Sequence, residues 1–171
     1  MNSTGKVFKF IVDEMCGKIA RWLRLLGFDT IYMINKGDYE DFDMKLLRIA
    51  IEEDRILITS DLALYEYAER VGVNAILIRE SDLVSKLRKI FKTIKLSNLT
   101  IKPRCPICNS TLKCVDKEYV RDMVPKNVFE RINKFLICLK CNKAYWFGSH
   151  WREILNTINT IGVNIQIRKC D

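Results

Sequence analysis

The chain has 171 residues, 49% of them hydrophobic, and a net charge of +8 from 29 Lys and Arg against 21 Asp and Glu. That composition excludes disorder and suits one ordinary domain, or one domain with a small appended module. No apolar run approaches the ~20 residues of a membrane-spanning helix, and no signal peptide precedes the first apolar segment, so a soluble cytoplasmic protein is expected. In chain order, residues 7–12 read as a strand that is apolar on both faces. Residues 16–26 read as a helix, with Ile19, Leu23 and Leu26 at helical spacing and Gly27 as its stop. A second strand follows at 30–34, then a polar connection at 35–42. Asp43 is placed as the N-cap of a second helix with the stripe Leu46, Leu47, Ala50 and Ile51. A third strand (55–59), a third helix (62–71) and a fourth strand (74–78) complete a β-α-β-α-β-α-β alternation. This predicts an α/β fold, a parallel sheet covered by helices on both faces, with all strand C-termini on one edge. Residues 82–94 form a basic helix with one apolar face, Leu83, Leu87, Ile90 and Ile94. A junction at 97–103 leads to a cysteine-bearing module at 104–146, a closing helix at 151–161 and a last strand at 163–167.

The module carries Cys105-Pro-Ile-Cys108 and Cys138-Leu-Lys-Cys141, separated by 29 residues. Four thiolates in two such turns fit tetrahedral Zn²⁺, which replaces a core too small to fold alone. A rubredoxin-like iron site and a redox dithiol are the alternatives. Cys16, Cys114 and Cys170 read as buried free thiols, with Cys114, six residues after Cys108, as a substitute ligand. The odd count speaks against a disulfide scaffold.

The charge is divided. Residues 1–84 carry 11 Lys and Arg against 15 Asp and Glu, and residues 85–171 carry 18 against 6. A basic module beside an acidic one suggests a polyanion held by the first and cation-dependent chemistry in the second. Ligands of an open parallel sheet bind beyond the strand C-termini. Asp13 and Asp61 end strands there, and Asp43 opens the helix after strand two. Three carboxylates in one cleft raise one another's pKa unless a cation sits between them, and Mg²⁺ or Mn²⁺ suits such oxygen donors. Each acid is equally well placed to cap a helix. Glu14 is ambiguous, and in strand-like geometry it would point the other way from Asp13; Asp38 and Asp41 are the substitutes for Asp43. Lys18, Arg21 and Arg24 recur at three-residue steps, as a phosphate grip or a solvated face.

Several strings resemble the Mut7-C RNase family. They are Phe10-Ile11-Val12-Asp13-Glu14-Met15, Ile19-Ala20-Arg21-Trp22-Leu23-Arg24-Leu25-Leu26-Gly27-Phe28-Asp29-Thr30, Asp43-Met44-Lys45-Leu46-Leu47-Arg48-Ile49-Ala50, Arg55-Ile56-Leu57-Ile58-Thr59-Ser60-Asp61, the two cysteine pairs, and Tyr145-Trp146-x-Gly148-Ser149-His150-Trp151. The resemblance implies a PIN-like α/β domain at 1–96 and a zinc-ribbon domain at 97–171 that ends in a helix and a strand. It implies metal-dependent hydrolysis of RNA, with Asp13, Asp43 and Asp61 as catalytic Mg²⁺ or Mn²⁺ ligands and Cys105, Cys108, Cys138 and Cys141 holding structural zinc. Ser60 stands where the pattern has a basic residue, and Asp82 is the nearest candidate for a fourth acid. The candidate RNA contacts are Lys18, Arg21, Arg24, Trp146 and His150. His150, the only histidine, serves either acid–base chemistry or a structural hydrogen bond between tail and ribbon. Tyr145, Trp146 and Trp151 either stack on bases or build the ribbon core. The competing function is a non-catalytic RNA-binding protein of a ribosomal or processing particle; no membrane partner is expected.

Overall fold

A computed structural model of the protein describes residues 8–35, 37, 39–168 and 170. Four short strands form one parallel sheet: β1 (Lys9–Val12), β2 (Asp29–Tyr32), β3 (Ile56–Thr59) and β4 (Ala75–Leu77), in the order β2-β1-β3-β4. Side chains alternate across it because successive Cβ atoms point to opposite faces. Phe10, Val12, Ile58 and Ile76 enter one core with α1 (Gly17–Leu25) and α4 (Leu83–Thr93). Ile11 and Leu57 enter the other with α2 (Tyr39–Glu52) and α3 (Leu62–Arg70). Both faces are thus covered, which is why the central strands carry no polar side. Burying each such Leu, Ile or Phe contributes ~1.5–3 kcal/mol.

The expected junction at 97–103 contains a strand, β5 (Asn98–Ile101). It pairs in parallel with β9 (Asn164–Ile167), 66 residues on at Asn98↔Asn164. Its alternation was short, with Leu99 and Ile101 inward and Asn98 and Thr100 outward. Leu99 and Ile101 join the first core together with Ile154 and Ile158 of α6 (Ser149–Asn159). The C-terminal helix therefore packs on the α/β body. A third, antiparallel sheet, β6 (Lys113–Asp116), β7 (Lys134–Cys138) and β8 (Lys143–Tyr145), carries the second cysteine pair; a 3₁₀ turn (Lys117–Val120) and α5 (Lys126–Arg131) separate β6 from β7.

Two expectations are corrected. Helix α2 starts at Tyr39, so Asp43 lies inside its second turn and is not a cap. Cys114 and Cys170 are not buried free thiols, because they form a disulfide with Cα atoms 5.8 Å apart. The chain after β9 returns beside β6, a juxtaposition that a separation of 56 residues conceals. That pairing also removes Cys114 as a substitute metal ligand. Cys16 is buried and free, as expected.

The first cysteine turn is clamped to the α/β body. Arg24, buried in α1, donates to the carbonyls of Thr30 (2.9 Å), Pro106 (3.1 Å) and Ile107 (2.9 Å). Asn109, at φ +66°, accepts the Thr30 N–H at 3.0 Å and donates to Asp29 at 2.9 Å. Gly27, at φ +92°, lets the chain at Lys102 pass so close that a Cβ would sit 2.8 Å from its carbonyl oxygen. Replacing Arg24 by Ala leaves three carbonyls without their charged donor. We expect a loss of about 3 kcal/mol in urea-induced unfolding, with Lys recovering little of it because one ammonium does not span three carbonyls.

Candidate active site

At the C-terminal edge of the parallel sheet, Asp13 continues β1 by donating its N–H to Ile58 at 3.0 Å. Its side chain is buried. Thr59, fully buried at the end of β3, donates its hydroxyl to Asp13 Oδ2 at 2.9 Å and accepts the Asp61 N–H at 3.0 Å. Asp61 also caps α3 by accepting the Leu64 N–H at 3.0 Å. The cap and the site are therefore one residue and not alternatives. Asp43 reaches the same edge from α2. Burial pushes its carboxyl up, and the charges of Asp61, Asp13 and Glu14 push it further. Burial likewise raises Asp13, with Glu14 and Asp61 adding to the shift against hydrogen bonds from Thr59 and Glu14. Among the described residues, no lysine or arginine pairs with any of these three aspartates.

Glu14 does not point away. A 3₁₀ turn (Glu14–Cys16) replaces the expected extended backbone, and Glu14 Oε2 accepts the Asn35 N–H at 3.0 Å. Its charge acts on both Asp13 and Asp43. Asp82 caps α4 through the Ser85 N–H at 2.9 Å and is exposed. Asp38 lies outside the described residues, as does the side chain of Asp41. The carboxylates of this edge are close enough to shift one another's pKa, yet among the described residues they do not form a group as tight as a metal site requires.

The basic residues of α1 divide. A step of three residues falls about 60° short of a full turn, so two steps rotate Arg24 about 120° away from Lys18. Lys18 and Arg21 are exposed, whereas Arg24 is the buried clamp described above. Lys18, Arg21, Trp146 and His150 share the wall of one cleft of about 480 Å³. His150 makes no tie between tail and ribbon; its Nδ1 faces Glu153 of its own helix at 3.7 Å and its side chain is 71% exposed. Trp151 is core.

The Sγ atoms of Cys105, Cys108, Cys138 and Cys141 all lie within 4.8 Å of one another, the one such tight set of metal-type ligands among the described residues. The Cys108–Cys138 and Cys105–Cys141 separations are 3.4 Å and 4.0 Å. A tetrahedron of bonds of about 2.3 Å has edges of about 3.8 Å, so the set can hold a metal such as zinc. Asn109 and Asn142, each directly after a pair, adopt the left-handed backbone (φ +66° and +49°) that turns the chain back toward the site. A hydrogen bond with Cys108, burial and the remaining sulfurs push the last thiol, Cys141, up to about 12.

The family model of the Mut7-C RNAse domain matches residues 8–158, and the chain belongs to that family. Its name points to a nuclease acting on RNA. No curated protein and no solved structure matches the chain. Among the described residues no helix is long and apolar enough to cross a membrane.

Two measurements check this site. Asp13 is raised in the folded state, so its penalty is absent below the unfolded carboxylate value of about 3.9 and grows as pH climbs through the raised folded value. Asp13→Asn should therefore stabilise the metal-free acid site at pH 7 by about 1 kcal/mol and leave stability at pH 3 unchanged, read by thermal melts at both pH values. Elemental analysis should find about one zinc per chain, lost in Cys138→Ser together with cooperative unfolding of the β6–β8 sheet.

Proposed function

We propose that this protein is a ribonuclease of PIN-like fold that hydrolyses RNA phosphodiester bonds with Mg²⁺ or Mn²⁺ held by Asp13, Asp43 and Asp61. The observation that carries this reading is a buried Asp13 whose charge is felt by the more exposed Asp43 and Asp61 at the sheet edge, with no ion pair to any of the three among the described residues. Structural carboxylates are normally neutralised. Asp29 of the same domain illustrates this: despite burial, hydrogen bonds from Arg55 and Asn109 and the charges of Arg55 and Arg104 hold its carboxyl below the usual range. Family membership supplies the substrate class.

A divalent cation held at this edge would supply Lewis acidity toward a phosphate oxygen and make its bound water more acidic than bulk water. The chain's own groups fix the geometry. Thr59 orients Asp13 and, through the Asp61 N–H, sets the spacing between β1 and the start of α3. Asn35 orients Glu14, which we place as the fourth acid. Residues 1–96 perform the chemistry in this reading. The part from 97 onward, a zinc ribbon with its closing helix, carries the surplus positive charge and holds the RNA backbone.

Purified protein should cleave single-stranded RNA only with added Mg²⁺ or Mn²⁺. Asp13→Asn and Asp61→Asn should each lower the rate by about 100-fold or more, the scale of losing one preorganised electrostatic contact. Circular dichroism and zinc content should stay unchanged. Full cleavage by both variants, or by wild type without a divalent ion, would overturn the assignment.

A further inference from the structure

The cleft of about 480 Å³ between α1, β8 and the start of α6 is lined by none of the four acids. Its walls combine two kinds of surface. One is flat and apolar, with Trp22, Pro103, Pro106 and Trp146; the other is the polar rim of Lys18, Arg21 and His150. The volume falls within the range of small-ligand sites, about 300–1,000 Å³. Trp146 is held in place at its edges. Phe135 packs edge-on at 6.2 Å, and Gly148 abuts the indole so closely that a Cβ there would stand 2.9 Å from Nε1. An indole fixed in this way has already lost the freedom that stacking would otherwise cost. Helix α6 begins at the same cleft with Gly148 as N-cap, no side-chain cap and no acid in its first turn. Its first N–H groups are suited to an anion.

We propose that this cleft binds one unstacked base of single-stranded RNA against Trp146, with the adjoining phosphate between the Lys18/Arg21 pair and the first turn of α6. The proposal deepens the ribonuclease reading by naming a base-binding subsite. Charge selects the occupant: the residues that follow position 84 carry 18 Lys and Arg against 6 Asp and Glu. A base supplies the flat apolar face and its phosphate the negative charge, whereas an acidic peptide supplies only the second. The subsite has a fixed relation to the acidic edge. Lys18 stands five residues after Asp13 on the same turn-and-helix segment, so the two are within about 10 Å. Only a strand with splayed bases fits, since a duplex keeps its bases stacked inside.

The test is equilibrium binding of a fluorescein-labelled single-stranded RNA 12-mer to the zinc-loaded full chain with no added Mg²⁺ or Mn²⁺, so that it does not depend on cleavage. Trp146→Ala should weaken binding between about 5-fold and 150-fold without changing the salt slope. Gly148→Ala, which displaces the indole and truncates nothing, should weaken it several-fold. Trp146→Tyr should recover most of the affinity. Lys18→Ala with Arg21→Ala should weaken binding and reduce the salt slope by about 0.7–1.4. A 12-mer with abasic positions should bind wild type as weakly as the intact 12-mer binds Trp146→Ala, and Trp146→Ala should lose nothing further on it. Equal affinity for intact and abasic RNA, or competition by polyglutamate as strong as by RNA, would overturn the subsite. Should cleavage fail while this cycle holds, the subsite stands and the catalytic assignment falls.

Discussion

The Arg24 guanidinium sits 6% exposed between helix α1 and the first cysteine turn, with its N–H groups on carbonyls from β2 and from that turn. Taking a charge out of water costs several kcal/mol, and three hydrogen bonds from a charged donor recover about 1.5–3 each. The balance is near neutral, so the clamp gives register more than stability. Burial is what lowers the Arg24 pKa, and Cys105 and Cys108 oppose that effect. Four thiolates around a divalent ion carry a net charge of −2. With such an ion held there, Arg24 and Arg104 would supply a matching countercharge. The metal module is therefore oriented on the α/β body electrostatically and by hydrogen bonds, which hydrophobic contact alone would not specify.

Asp29 extends the same clamp. It accepts Arg55 at 2.8 Å, Asn109 at 2.9 Å and Arg104 at 3.4 Å, joining β2, β3 and the cysteine turn at one carboxylate. The sheet thus has aspartates of opposite fate at its two ends. At the N-terminal end of β2 a carboxylate is surrounded by cations and serves cohesion. At the C-terminal edge Asp13, Asp43 and Asp61 have none. Of that edge group Asp13 is the buried member, and hydrogen bonds rather than a cation satisfy it.

The α/β alternation and the cysteine pairs were readable from the sequence because both are local: apolar periodicity reports buried faces, and Cys-x-x-Cys reports a single turn. What was missed is non-local or depends on exact backbone conformation. β5 has only four residues and its partner lies at the far end of the chain. The disulfide joins residues 56 apart. Glu14 was ambiguous because its direction depends on the backbone: extended geometry would send it outward, and the 3₁₀ turn it opens does not. Arg24 was read with Lys18 and Arg21 because a three-residue step resembles a helix face over one step and departs from it over two. Asp61 was weighed as cap against ligand, although its Oδ1 caps α3 in the same geometry that brings it to Asp13 through Thr59.

Helix α1 has only nine residues, yet three tasks are distributed around it. Its N-terminal approach carries Asp13 and Glu14. One flank presents Lys18, Arg21 and Trp22 to the cleft, and Arg24 near its end grips the cysteine turn that forms the opposite wall. Ile19, Ala20 and Leu23 fix it to the sheet. A rotation of the helix would move all three functions together, and the side chains that resist rotation are in the core. Tyr32 adds a stop: its hydroxyl donates to the Glu14 carbonyl at 2.9 Å, over a Gly17 whose Cβ would clash with it at 2.7 Å. The spacing between Asp13 and Lys18 is thereby set by a rigid element, which the proposed ribonuclease reading requires if RNA held in the cleft is to reach the acids.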